Sequence, residues 1–171
     1  MKEIIVIMML WIHNATGYPI PEHPNIEFLS SHDIKAYAYG CNDDPPPAEN
    51  IDYCEASEFW EIDDLSKSHG PIALYDNIKK TIILNKNFDI NKVHDKSVIF
   101  HELVHHLQYS DGEDKRVNCI GDLEKEAYTL QDLWLQEKYG VTVWDTVKIS
   151  KMFYLILTTC QRKSGLSHFG T

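Results

Sequence analysis

Apolar and polar positions along the chain change period several times, and each change suggests an element. An apolar run, Ile4 to Ile12, opens the sequence. Three prolines in YPIPEHPN, residues 18–25, suit an extended lead-in. Ile26 to Tyr39 is mixed, with a short helix or strand around IKAYAY. DDPPPAEN within residues 40–58 reads as loop. IALYDNIKKTIILN then predicts a hairpin: strand Ile72 to Tyr75, turn at Asp76-Asn77, returning strand Thr81 to Leu84. From about Lys96 to Tyr109, Phe100, Leu103, Val104 and Leu107 recur at helical spacing and form one apolar stripe. SDGEDKRVN is a loop. A second helix follows from about Cys119 to Tyr139, with Ile120, Leu123, Ala127, Leu130 and Trp134 on its apolar face and Gly140 as its stop. A third runs from about Val143 to Thr159. The pattern is that of an α+β protein without repeats.

The opening run is too short to span a bilayer. Its length suits the apolar region of a secretory signal peptide, with Lys2 before it and Ala15-Thr16-Gly17 as a small-residue cleavage site. On that reading residues 1–17 are a leader and 18–171 a single domain. The other reading is a first buried strand or helix turn of the domain, and Glu3 beside Lys2 weakens the leader signal.

A chain of 171 residues is long enough to bury a core. Its net charge of −10 argues against a nucleic-acid or anionic-membrane partner. Cys41, Cys54, Cys119 and Cys160 form no CxxC pair, so a cysteine-rich zinc knuckle or thioredoxin-like site is not indicated. In an exported protein four cysteines suggest two disulfides. The simplest pairing is Cys41 with Cys54 and Cys119 with Cys160, although three pairings are possible.

The chemistry is concentrated in SVIFHELVHHLQY, Ser97 to Tyr109. His101 and His105 are one turn apart, beside the apolar stripe. Two imidazoles so placed reach one Zn²⁺ at about 2.0–2.1 Å. Glu102, next to the first of them, then reaches the water that the metal acidifies rather than the metal itself. It can take that proton and return it to a leaving amine. A single histidine on a helix is usually a surface or satisfied core residue. The HExxH tetrad in register with an apolar stripe is far harder to explain that way. His106 projects about 100° from His105 and is not expected to be a ligand. A catalytic zinc takes three protein ligands and keeps one open position, so a third ligand must come from elsewhere. Glu124 and Glu126 stand on opposite flanks of the next helix, where glutamates are ordinarily solvated.

HELVH followed by a helix carrying Glu124-Lys125-Glu126-Ala127 resembles the gluzincin branch of the zincin metallopeptidases. The resemblance implies a third ligand from an E-x-x-A pattern. Glu124 matches it, with Ala127 one turn on. Tyr128 stands where that clan often has Asp or Asn, which keeps Glu126 as an alternative ligand. It also implies a minimal zincin fold, a small hairpin packed on the HExxH helix, with the IALY/TIIL pair binding extended substrate by strand addition. The resemblance covers about residues 70–140. The whole chain is similar to small exported bacterial proteins of this kind.

The expectation is therefore an exported (periplasmic or secreted) monomeric zinc metallopeptidase. His101, His105 and Glu124 hold Zn²⁺, and Glu102 is general base and then acid. Its substrate is a peptide or protein, and no membrane anchor remains after leader removal. Tyr128, Tyr109, His106 and His168 are candidates for stabilising the transition state. The main alternative is a zincin-like binding module with structural zinc or none; an effector peptidase is a third reading. GxSxG, a Gly-rich phosphate loop and the metzincin HExxHxxGxxH are all absent.

Overall fold

The computed structural model describes residues 1–38, 73–147 and 149–160. The Cys41–Cys54 pairing, the Pro-rich loop at residues 44–50 and His168 lie outside the described residues. The elements are α1 (Lys2–Thr16), β1 (Asn25–Leu29), α2 (Ser31–Ala38), β2 (Ala73–Asp76), β3 (Thr81–Asn85), α3 (Val93–Asp111), a 3-10 turn (Glu113–Lys115), α4 (Ile120–Tyr139), α5 (Val143–Val147) and α6 (Lys151–Thr158). The class is α+β, a small mixed sheet among helices.

The sheet order is β1-β3-β2. β1 runs parallel to β3, with Asn25 opposite Thr81, and β2 runs antiparallel to it. The hairpin is as expected, but its turn is four residues rather than two. The Asp76 carboxylate accepts from the backbone N–H groups of both Ile78 and Lys79, each at 2.8 Å, and holds that wider turn. β3 is central and covered on both faces, which is why Thr81, Ile82, Ile83 and Leu84 are all buried and read as an unbroken run. β1 is a strand the mixed pattern of residues 26–39 did not resolve.

α3 is the axis of the molecule. Phe100, Leu103, Val104 and Leu107 are fully buried, as their spacing predicts. The helix is longer than expected and ends at Gly112. α4 lies against it: Leu123, Ala127, Leu130 and Trp134 face the core, and Trp134 stacks on Phe100 with ring centroids 4.7 Å apart. Ile120, placed on the same stripe by periodicity, is 68% exposed. As the first residue of α4 it has no preceding turn to pack beside and faces an open cleft instead. Gly140 closes α4 with φ +66, the left-handed conformation that favours glycine.

The expected helix over 143–159 is two. α6 restarts after Ser150, whose Oγ accepts the Phe153 N–H, so a residue that competes for backbone hydrogen bonds serves as a cap. Cys119, just before α4, is bonded to Cys160, just after α6. That bond closes a separation of 41 positions, for which chain entropy gives roughly 4 kcal/mol of stabilisation. Gly121 permits the close approach, since a Cβ there would meet the Thr158 carbonyl carbon at 3.1 Å and the Leu157 oxygen at 3.2 Å.

The opening apolar run is helical in the full chain and packs on the core. Ile5, Met8, Met9 and Ile12 are buried at helical spacing and join the cluster that contains Phe100 and Trp134. Trp11 meets Phe100 edge-on at 5.4 Å. No helix among the described residues is long and apolar enough to cross a membrane.

Candidate metal centre

α3 presents His101 and His105 on the side that faces α4, and α4 presents Glu124 back to them. The three acceptors converge. His101 Nε2 is 3.3 Å from Glu124 Oε2, His105 Nε2 is 3.3 Å from Glu124 Oε1, and the two Nε2 atoms are 3.2 Å apart. A tetrahedral ion with bonds of about 2.0–2.1 Å sets neighbouring ligand atoms about 3.3–3.4 Å apart. The spacing of this triangle is therefore that of three ligands on one zinc-sized ion. Among the described residues no fourth His, Cys, Asp or Glu joins the group.

The hydrogen bonds behind the imidazoles decide which nitrogens face the centre. Gln131 Nε2 donates to the Ser97 carbonyl at 2.8 Å, so its Oε1 is the atom turned to His101 Nδ1, at 3.2 Å. Gln108 Nε2 donates to the Leu123 carbonyl and to Glu126, so its Oε1 faces His105 Nδ1 at 2.8 Å. A carbonyl oxygen can only accept. Both Nδ1 atoms therefore carry the proton, and in neutral imidazoles both Nε2 lone pairs point inward. Two lone pairs and a carboxylate that meet at one point need a positive charge between them. Burial acts to raise the Glu124 carboxyl, but an imidazole that turns a proton toward it outweighs burial and holds it well below the usual carboxylate range. Burial would likewise lower His105, yet Glu124 beside it raises it above its ordinary value. A proton on His105 is the smallest cation the group accepts, and a divalent ion satisfies all three ligands.

Glu102 is buried next to this triangle but is not part of it. Burial pushes its carboxyl above the usual carboxylate range, against the pull of His101, His105 and a backbone hydrogen bond from Tyr75 on β2. A cation held by its neighbours would draw it back down. His101, Glu102, His105 and Glu124 form the polar end of a cavity of about 230 Å³. Ala73, Leu74 and Tyr75 of β2 form one wall, and Tyr109, Ile120 and Leu123 the other. Among the described residues β2 is the edge strand on that side of the sheet.

The other residues singled out from sequence have distinct places. Glu126 does not approach the triangle; its Oε2 accepts from Gln108 and from the Tyr18 hydroxyl at 2.7 Å. His106 is 1% exposed, and its Nε2–H donates to the Glu22 carbonyl at 2.8 Å. Its Nδ1 then accepts from the Tyr75 hydroxyl at 2.9 Å, which ties β2 to α3. Tyr128 lays its ring 4.4 Å from that of His101 but does not line the cavity, whereas Tyr109 does. Gln108 and Gln131 were not anticipated. The available signal was a polar side chain on an otherwise apolar face: Gln131 lies among Ala127, Leu130 and Trp134.

Comparison with known proteins found no curated protein and no solved structure that matches this chain. A family match extends over residues 35–164, about three-quarters of the sequence, and takes in the whole triangle, both glutamines and the disulfide. The chain belongs to that family, described as a domain of unknown function (DUF6647).

Proposed function

We propose that the protein is a zinc-dependent metallopeptidase with a minimal gluzincin-type arrangement, acting on peptide or protein substrates in an oxidising compartment. The observation that carries this reading is the triangle of His101, His105 and Glu124, with ligand-atom separations of 3.2–3.3 Å and Glu102 beside it at the end of a cavity. Among the described residues the group offers three ligands rather than four, which leaves a coordination position open and suits a catalytic site better than a structural one. His and Glu ligands suit zinc better than the hard, oxygen-preferring calcium or magnesium.

The ion, when bound, supplies Lewis acidity toward a carbonyl and lowers the pKa of a water. Glu102, at the polar end of the cavity, would be the group that holds and moves the proton, taking it from a water there and returning it to a departing amine. The Tyr75 backbone hydrogen bond fixes the carboxylate between β2 and the ligands. The cavity, at about 230 Å³, is smaller than most small-molecule sites. It suits one side chain of a longer ligand that continues along the β2 edge by strand addition. An oxidising compartment agrees with the Cys119–Cys160 disulfide, since such bonds persist there.

The direct test is incubation of zinc-loaded protein with a denatured protein mixture, and sequencing of the new N-termini. Cleavage should stop with a zinc chelator and return on zinc addition. Cleavage that persists without metal would reject the mechanism.

Tyr109 is the proposed transition-state donor because, of Tyr128, Tyr109 and His106, it alone lines the cavity. Burial raises its pKa, so the hydroxyl stays protonated and able to donate. Tyr109→Phe should lower kcat by roughly 10²–10³ with metal content unchanged. An unaltered kcat would exclude that role.

A further inference from the structure

The two imidazoles of the triangle are backed differently. Behind His101, Gln131 ends on the main-chain carbonyl of Ser97, a neutral and immobile acceptor. Behind His105, the Gln108 amide continues to the carboxylate of Glu126 at 2.8 Å. Glu126 is held in turn by the hydroxyl of Tyr18 at 2.7 Å. Tyr18 belongs to the strap between α1 and β1, which is thus held to α4, and the same strap is fixed to α3 through Glu22 and His106. A negative charge hydrogen-bonded to an amide N–H polarises that amide and makes its oxygen a stronger acceptor. Here that oxygen receives the Nδ1–H of His105, so the imidazole becomes a stronger donor at Nε2.

Resting on the reading of the triangle as a metal site, we propose that Glu126 is a positioning residue of the metal centre. Its carboxylate, oriented by Tyr18, holds the Gln108 amide and through it the orientation and donor strength of His105. This assigns work to a glutamate that is not a ligand, and it makes the strap at residues 18–22 part of the centre rather than a passive connection. The asymmetry has a further consequence. Changes along the strap reach His105 and leave the His101 line untouched.

The test uses Co²⁺ as the probe, bound to full-length wild type, Glu126→Leu, Glu126→Gln and Tyr18→Phe, with far-UV circular dichroism as the check on folding. Glu126→Leu should weaken metal binding about tenfold, the low end of the effect of losing an outer hydrogen-bond partner, and should change the visible cobalt bands. Glu126→Gln, which keeps a hydrogen-bonding oxygen but loses the charge, should recover part of both. Tyr18→Phe removes only a hydroxyl and should shift the same bands in the same direction by less. Combined with Glu126→Leu it should add nothing. Should Glu126→Leu fail to fold, the Tyr18→Phe spectrum decides alone. Folded variants with wild-type spectra and affinity overturn this inference while leaving the metal site intact. A wild type that takes up no Co²⁺ overturns the metal site beneath it.

Discussion

Glu102→Gln is expected to keep its metal, its fold and its substrate affinity while kcat falls by roughly 10²–10⁴, the usual contribution of a positioned acid–base group. The substitution is close to isosteric in a site where Glu102 is only 9% exposed, so it opens no void. The amide oxygen can still accept the backbone hydrogen bond from Tyr75. The ligand triangle does not include Glu102, so metal content should not change. Only the capacity to take up and return a proton is lost. Retained full turnover would show that another group does the proton transfer, and loss of metal would show that Glu102 is a ligand after all. Either result is read from a metal assay and a rate on the same sample.

The second large effect concerns the opening helix. A chain that begins at Tyr18 lacks α1 and uncovers the face of α3 that packs against Ile5, Met8, Met9 and Ile12. At about 1.5–3 kcal/mol per fully buried side chain, the four together contribute on the order of 6–12 kcal/mol, an upper estimate because unfolded chains already bury some apolar surface. That is comparable with the whole stability of a typical domain, about 5–15 kcal/mol. Residues 18–171 produced alone should therefore lose the cooperative unfolding transition seen for residues 1–171, and should bind a dye for exposed apolar surface. A fully stable 18–171 chain is the result that a cleaved leader requires. Sequencing the N-terminus of the protein recovered from cells complements the comparison.

The parts of the centre that depend on short-range geometry were legible in the sequence. Helical spacing alone stacks His101 on His105 beside the stripe of Phe100, Leu103, Val104 and Leu107, and all of these are buried where expected. Glu124 came from the resemblance, since spacing along a helix says nothing about which face meets another helix; it is the α3–α4 packing that brings Glu124, and not Glu126, beside His101 and His105. What depends on long-range pairing was not legible. β1 joins β3 in parallel across more than fifty intervening residues, and a short mixed segment carries no trace of its partner. The glutamines were missed because a neutral amide carries no ligand signal, and because Gln108 matters only through the backbone of Leu123 and the carboxylate of Glu126. The leader reading and the core-helix reading share one apolar run, and composition does not separate them. The break before Ser150 has no proline or glycine to announce it; one serine hydroxyl capping α6 is a signal that a mid-helix serine would also give.

The central claim is that His101, His105 and Glu124 hold one zinc ion, and metal content tests it before any substrate is known. Zinc should be measured on purified protein after zinc-replete refolding and dialysis, beside a His101→Ala control. One zinc per chain is expected in the wild type, lost in the control. No metal in the wild type, or equal metal in both, would contradict it.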